Sequence, residues 1–343
     1  MKIKKALTFD DVTIVPKYSD IKSRKECDTT SHVSDIILDI PIISSPMETV
    51  TGREMCVRLQ ELGCLGILHR FMEAEKQAIL MLSLSDRLKA AAVGVNDKER
   101  IDLLIENGIH IIDIDVAHGH HKNVKETIEY IREYPNIMIM AGAVATYEAT
   151  RALMEWGADI IRVGVGGGSL CETRIRTGIG VPMITSLQDC YLATKDTAVA
   201  IIADGGIRYP GDMAKAIAAG ADAVILGSLL AGTKESPYAI SKRGTWPNEQ
   251  LYKRYAGAAS LESKSDGGKL CTTTGDIKYV EGNSITIPYK GKVKRIIMDM
   301  KEGLQSAMSY VGAKNIIDFR ELAKFYEISA AGTIEAQSHL MLR

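Results

Sequence analysis

No stretch of this 343-residue sequence approaches the 18 or so uninterrupted apolar residues that a membrane-spanning helix requires. The first eleven residues, MKIKKALTFDD, reach acidic side chains before an apolar segment can form, so we expect no secretory signal and a cytoplasmic location. Excess charge is absent too: 42 basic and 43 acidic residues give a net charge of −1. Without an overall field to attract nucleic acid or an anionic membrane, any anionic ligand must be bound by a local site.

Cysteine is scarce, with six residues and no Cys-x-x-Cys pair, which indicates reduced thiols and argues against a disulfide framework. Apolar residues make up 46% and charged residues 25% of the chain, as in soluble proteins with a packed core. The length alone fits either two domains or one long α/β barrel.

Eight short runs rich in Val, Ile and Ala recur along the first two thirds of the sequence, mostly about 20 to 27 residues apart. They cover residues 41–45, 65–69, 90–95, 109–116, 136–144, 159–166, 198–205 and 223–228. Near-continuous apolar runs are typical of parallel strands that are covered on both faces. The segments between them, such as 123–133 and 146–156, show the apolar spacing of amphipathic helices.

Eight strand–helix units predict an α/β fold, a (β/α)₈ TIM barrel, rather than a doubly wound sheet, because no Gly-x-Gly-x-x-Gly opens the first helix. We interpret residues 1–343 as a single catalytic domain. The polar, glycine-rich stretch at about 260–283 is predicted to be a flap-like loop after the eighth strand. Residues 285–289 are predicted as a hairpin strand and 293–311 as a helix.

In such a barrel the chemistry lies at the carboxyl ends of the strands. The sixth strand runs into a glycine-rich turn that carries Cys171, a candidate nucleophile or a buried cysteine on an ordinary turn. Asp204 ends the seventh strand, where it is suited either to accept hydrogen bonds from ribose hydroxyls or to cap a helix. The glycines after strands seven and eight suit a phosphate site.

Three histidines, His118, His120 and His121, follow the fourth strand. Their spacing differs from the i, i+4 pair of a helical zinc site, which favours loop histidines near a cofactor or in solvent over metal ligands.

Ordered motifs along almost the whole chain point to one family. They include LTFDDV at 7–12, PIISSPMETV at 41–50, GILHR at 66–70, GGGSLCETR at 166–174 and ADGG at 203–206. With these motifs the sequence resembles the IMP dehydrogenase/GMP reductase family, and the Gly-Ser-x-Cys-x-Thr-Arg loop is the most specific of them.

The resemblance implies a purine nucleoside monophosphate substrate, a nicotinamide cofactor and a homotetramer, with no nucleic acid or membrane partner. It implies that Cys171 forms a thioimidate at purine C2, while Thr173 and Glu281 relay protons. Substrate contacts are implied for Ser44, Met47, Ser169, Asp204, Gly206, Gly227, Ser228, Tyr255 and Gly257. Cofactor contacts are implied for Asp115, Ala117, His118, Gly119, Gly164 and Gly166, and potassium ligation for the carbonyls of Gly166, Gly168 and Cys171.

Two absences favour a GMP reductase that uses NADPH. Dehydrogenases of the family activate water with an Arg-Tyr pair on the flap, but residues 262–280 contain no arginine. Most also insert a pair of regulatory CBS domains after the second strand, where this chain is short. The alternatives are an IMP dehydrogenase that uses NAD⁺ with an atypical flap, and a nucleotide-binding homologue with weakened catalysis.

Departures from the family pattern include Glu172 after the cysteine, Ala143 in place of an asparagine, and Gln305 in place of an arginine in the late helix. A carboxylate beside a thiol tends to raise the pKa of the thiol unless it points away. We therefore expect the direction of the Glu172 side chain to matter for catalysis.

Overall fold

The computed structural model describes residues 3–84, 88–245, 247–257 and 282–336. Eight parallel strands form its centre, and each of the eight predicted runs contains one of them. After β1 (Val12–Ile14), β2 (Ser31–Val33) and β3 (Ile36–Leu38), these are β4 (Ile42–Ser44), β5 (Leu65–Gly66), β6 (Ala90–Val93), β7 (Ile111–Asp115), β8 (Met138–Val144), β9 (Ile160–Val163), β10 (Ala200–Asp204) and β11 (Ala223–Leu226). The order β5-β4-β11-β10-β9-β8-β7-β6 is closed by a parallel bridge between Leu68 and Ala91, which confirms the barrel.

Helices surround the barrel, except that the short helix after the Cys171 loop begins at the cavity. They are α1 (Arg53–Glu61), α2 (Ala74–Leu82), α3 (Lys98–Glu106), α4 (Lys122–Ile131), α5 (Tyr147–Trp156), α6 (Thr173–Thr177), α7 (Met183–Thr194), α8 (Pro210–Ala218), α9 (Val293–Val311), α10 (Ile316–Leu322) and α11 (Ala330–Glu335). The helix predicted at 146–156 begins after Thr146, whose side chain accepts a hydrogen bond from the N–H of Ala149, and ends at the left-handed Gly157.

Successive strand residues enter two different cores, which explains the uninterrupted apolar runs. Ile43 and Ile202 point into the barrel, whereas Ile42 and Ile201 pack against the surrounding helices. The β2–β3 hairpin adds Val33, Ile36 and Leu38 to the interior cluster. Because both faces of every barrel strand are buried, the strand sequences do not alternate between apolar and polar residues.

An antiparallel sheet follows the barrel. It contains β12 (Ser241–Arg243), β13 (Gln250–Ala256) and β14 (Ser284–Pro288), in the order β12-β13-β14. The hairpin strand predicted at 285–289 is therefore confirmed, as is the helix at 293–311. Most of the flap-like loop predicted at 260–283 lies outside the described residues. A last strand, β15 (Phe325–Glu327), pairs antiparallel with β1.

Within the described part of the chain, no helix is long and apolar enough to cross a membrane.

Candidate active site

A cavity of about 500 Å³ opens at the carboxyl ends of the barrel strands, a size that suits a nucleotide. It brings together most of the residues for which a role was predicted. Those that line it are Met47, Asp115, Ala117, Gly164, Gly166, Gly168, Ser169, Cys171, Thr173, Asp204, Gly206, Gly227, Ser228, Tyr255 and Gly257.

Four of the predicted site residues are not placed in this lining. Ser44 is fully buried, and its hydroxyl has no hydrogen-bond partner among the described residues, whereas the neighbouring Ser45 lines the cavity. His118 and Gly119 lie outside the lining, and the N–H of Gly119 donates to the Ala143 carbonyl at 2.7 Å. Glu281 lies outside the described residues.

Glycines bring the cysteine loop close to the end of β10. Gly164 has a φ of 143°, and a Cβ at this position would collide with the Asp204 carbonyl. Gly205 has a φ of 98°, and its added Cβ would lie 2.8 Å from the backbone carbon of Gly167. The two loops touch through their backbones, which only glycine permits on both sides.

Cys171 is the accessible thiol among the described cysteines, since Cys27, Cys56, Cys64 and Cys190 are buried. Burial raises the pKa of Cys56, Cys64 and Cys190 to about 12, which makes them inert. The sulfur of Cys171 lies 3.2 Å from the Thr173 hydroxyl, so the thiol and the expected proton-relay residue are in contact. Cys271 lies outside the described residues.

The Glu172 side chain is turned toward two other side chains. Its carboxylate accepts hydrogen bonds from Arg176 Nε and from Asn283 Nδ2, each at 2.5 Å. These two donors hold the pKa of Glu172 below its usual range. Both oxygens of the Glu172 carboxylate therefore accept a hydrogen bond, and the carboxylate is not left free beside the Cys171 thiol.

A buried arginine connects three carboxylates at the floor of the cavity. Arg162 Nη1 donates to Asp113 at 2.8 Å and to Asp115 at 2.9 Å, and its Nη2 donates to Asp204 at 2.6 Å. Asp113 is fully buried, and this burial raises its pKa while Arg162 lowers it. Asp204 is thus oriented by an ion pair, and the helix-cap interpretation of this residue is wrong: α8 begins at Pro210, after Tyr209.

Side-chain hydroxyls converge where a phosphate is expected. Ser169 Oγ and the Tyr255 hydroxyl lie 3.0 Å apart, and Tyr255 is buried. Burial raises the pKa of Tyr255, which keeps its hydroxyl protonated and able to donate. The backbone at Gly205 and Gly206 is left-handed, with φ values of 98° and 79°. All four residues line the cavity.

The loop histidines have local roles in the structure. The Nδ1 atom of His121 accepts a hydrogen bond from the N–H of Asn123 at 3.1 Å and caps α4. His120 packs against Trp156, with ring centroids 5.7 Å apart. Within residues 3–84, 88–245, 247–257 and 282–336, no group of three His, Cys, Asp or Glu side chains is placed to hold a metal ion.

Sequence reasoning missed three arginines that line the cavity, Arg70, Arg162 and Arg208, each of which pairs with a carboxylate. One signal was available: Arg162 interrupts the apolar run of β9, where an unpaired charge would be costly. The partners of Arg162 could not be predicted from the sequence, since Asp113 and Asp204 belong to two other strands.

Comparisons with known proteins agree with the motifs. The family profile described as the IMP dehydrogenase / GMP reductase domain matches residues 6–339. The chain is 36% identical to inosine-5′-monophosphate dehydrogenase of Cryptosporidium parvum, over 98% of this chain and 96% of that protein. It is 42% identical to the enzyme of the same name from Chlorobaculum tepidum, over 97% and 96% of the two chains. A third relative with this name, from Borreliella burgdorferi, is 35% identical over 98% and 97%.

These relatives carry the dehydrogenase name and do not support the expected closeness to GMP reductase. The matched profile covers nearly the whole chain, including the barrel strands and the loops that line the cavity. The chain therefore belongs to the IMP dehydrogenase/GMP reductase family of oxidoreductases.

Proposed function

We propose that this protein oxidises IMP to xanthosine monophosphate with NAD⁺. The observation that carries the proposal is the accessible Cys171 thiol, which lies beside Thr173 in a cavity that also contains the Ser169–Tyr255 pair and Asp204. Relatives named inosine-5′-monophosphate dehydrogenase match the chain over almost its entire length, which favours the dehydrogenase over the reductase.

In this proposal the ribose and phosphate of the nucleotide bind to groups from three loops. The Asp204 carboxylate accepts hydrogen bonds from the ribose hydroxyls, held in place by its pair with Arg162. The hydroxyls of Ser169 and Tyr255 donate to the phosphate, together with the backbone at Gly206, Gly227 and Ser228. Because the buried hydroxyl of Tyr255 remains protonated, it can donate a hydrogen bond to the anionic phosphate.

The reaction then proceeds in two steps at purine C2. The Cys171 thiolate forms a C–S bond to C2, and the C2 hydrogen leaves with its electron pair as hydride, reducing NAD⁺ to NADH. Water next adds to C2 of the resulting thioimidate, a proton is released, and the C–S bond breaks to give xanthosine monophosphate and the free thiol. Thr173, 3.2 Å from the sulfur, and Glu281 relay the protons of the second step.

The cofactor side of the cavity contains Asp115 and Ala117, and we assign the nicotinamide ribose to this side. Potassium would be held by the carbonyls of Gly166, Gly168 and Cys171. The left-handed turn at Gly166 suits this role. In the described residues neither the Gly166 nor the Cys171 carbonyl accepts a backbone hydrogen bond, whereas the Gly168 carbonyl accepts one from the Cys171 N–H at 3.1 Å. Such an ion would order the cysteine loop, because oxygen donors suit a hard cation.

Reduction of GMP by NADPH is the second candidate. It is favoured by one observation, the absence of arginine between residues 262 and 280, where a dehydrogenase of the family has its water-activating pair. In that reaction ammonia leaves C2 after the thiol adds, and hydride from NADPH replaces the sulfur.

Absorbance at 340 nm distinguishes the two reactions. Purified protein with IMP, NAD⁺ and potassium is expected to produce a rise, and a fall with GMP and NADPH would establish the reductase instead. Bound nucleotide with no change in either mixture would indicate a binding protein. C171A is expected to lower turnover by about 10³-fold or more while nucleotide affinity stays within twofold. Unchanged turnover would remove Cys171 from the mechanism.

The homotetramer and the cytoplasmic location remain predictions. Light scattering on the purified protein will test the homotetramer.

A further inference from the structure

We propose that Arg176 and Asn283 are positioning residues that hold the Glu172 carboxylate away from the Cys171 thiol. The inference rests on the proposed function only in that it takes Cys171 as the nucleophile. It concerns a feature of this chain, since Glu172 is one of the departures from the family pattern.

The contacts of Glu172 are specific and involve both of its carboxylate oxygens. Arg176 Nε donates to Oε2 and Asn283 Nδ2 donates to Oε1, each at 2.5 Å. Arg176 lies one helical turn after Glu172, on α6, and its N–H also donates to the Glu172 carbonyl at 2.9 Å. Asn283 approaches from the other side, immediately before β14.

Asn283 is itself fixed by its backbone. Its N–H donates to the Leu170 carbonyl at 3.2 Å, and its carbonyl accepts from the N–H of Gly257 at 2.9 Å. The preceding residue, Gly282, forms an antiparallel bridge with Cys171. One residue therefore contacts the chain on both sides of the nucleophile, at Leu170 through its backbone and at Glu172 through its side chain.

The electrostatic consequence follows from the position of Glu172 in the sequence. A free carboxylate on the residue next to a cysteine disfavours the thiolate, and the thiolate is the reactive form. With a cation and an amide bound to its two oxygens, the Glu172 carboxylate is fixed in one orientation and partly neutralised. Removal of either donor frees the side chain to turn toward the sulfur.

The test compares the substitutions N283A and R176A in two backgrounds, one with Glu172 and one with E172Q. Glutamine has the shape of glutamate without its charge. The other described charges around the cavity, on Arg70, Asp115, Arg162, Asp204 and Arg208, are the same in every variant. Any difference between the two backgrounds therefore reports on the Glu172 carboxylate.

The main readout is the rate at which iodoacetamide alkylates Cys171 at pH 7, which needs no turnover. Mass spectrometry of the tryptic peptide 163–174 isolates this cysteine from Cys271. We expect N283A and R176A to slow alkylation about threefold or more, because a carboxylate that turns toward the sulfur disfavours the reactive thiolate. In the E172Q background both substitutions are expected to leave the rate within about 1.5-fold.

Matched controls are R151A, which breaks the corresponding i, i+4 pair with Glu155 on α5, and N107A at the end of α3. Both are expected to alkylate at the wild-type rate. If turnover is established, kcat should fall in N283A and R176A with nucleotide affinity unchanged, and E172Q should restore it. Wild-type alkylation rates in N283A and R176A, or slow rates that persist with E172Q, would overturn the proposal.

Discussion

Ser169 Oγ and the hydroxyl of Tyr255 lie 3.0 Å apart, although 86 residues separate them in the chain. Ser169 belongs to the loop after β9, and Tyr255 belongs to β13 in the sheet that follows the barrel. The barrel loops alone therefore do not complete the proposed phosphate site. The added antiparallel sheet supplies one of its hydroxyls.

Y255F tests this contribution directly. The ring keeps its buried position and only the hydroxyl is lost, so we expect nucleotide affinity to fall about tenfold, as for a lost hydrogen bond to a charged group. Isothermal titration calorimetry with IMP measures the change. Y252F is the matched control, because the hydroxyl of Tyr252 is bonded to Gln250 on the exposed part of the same strand. Equal affinities for Y255F and wild type would remove Tyr255 from the phosphate site.

The substitution G227A is expected to weaken nucleotide binding without affecting the stability of the fold. An added Cβ would meet Met47 Sδ at 3.5 Å and the Tyr255 hydroxyl at 3.6 Å, which are ordinary contacts, and the backbone of Gly227 is not left-handed. We expect an unchanged melting temperature, with nucleotide affinity reduced about tenfold or more because the methyl group occupies the proposed site. G205A is the contrasting variant: its φ of 98° and its contact with Gly167 predict a destabilised fold. Normal binding by G227A would contradict the placement of the phosphate.

R162M is expected to be the most damaging single change in the cavity. Arg162 is 5% exposed and bonds to Asp113, Asp115 and Asp204, so its loss leaves buried carboxylates without a counter-charge. The expected loss is about 3–5 kcal/mol of unfolding free energy, measured by urea denaturation at pH 7.5. D113N should cost less, because Asp115 and Asp204 still pair with Arg162. Wild-type stability of R162M would show that the network contributes little.

The buried His69 side chain is expected to lower the stability of the fold in mild acid. Burial, with smaller effects from Lys76 and Arg100, lowers its pKa to about 4, and its Nδ1 accepts a hydrogen bond from the N–H of Phe71. The unfolded chain, with a histidine pKa near 6.5, binds the proton first, so stability from this group is complete above about pH 6.5 and declines toward pH 4. The expected loss is about 2 kcal/mol at pH 5.

H69N keeps an acceptor for Phe71 and removes the titration. Urea denaturation at pH 7.5 and pH 5 should show a smaller difference for H69N than for wild type, and H32N, at an exposed position, should behave as wild type. The same pH sensitivity in H69N and wild type would assign the acid effect to other groups.

Local patterns were sufficient to predict the eight barrel strands, because each strand is buried on both faces and needs an uninterrupted apolar run. The loop around Cys171 was also predictable, since its glycines and cysteine are adjacent in the chain. The partners of Arg162 were not, because they lie on β7 and β10 and meet it only after the barrel closes. The orientation of the Glu172 side chain could not be predicted either, because its partner Asn283 lies 111 residues away in the sequence.

The sequence by itself determined the class of fold and the family, and it predicted the proposed nucleophile Cys171, since these depend on residue types at fixed short spacings. Tertiary structure decided which charges neutralise one another, that the hydroxyls of Ser169 and Tyr255 meet, and that the Glu172 carboxylate binds Arg176 and Asn283. The physical reason is that hydrogen bonds and ion pairs act over about 3 Å, and the distances between residues remote in sequence are set only by the packing of the whole barrel.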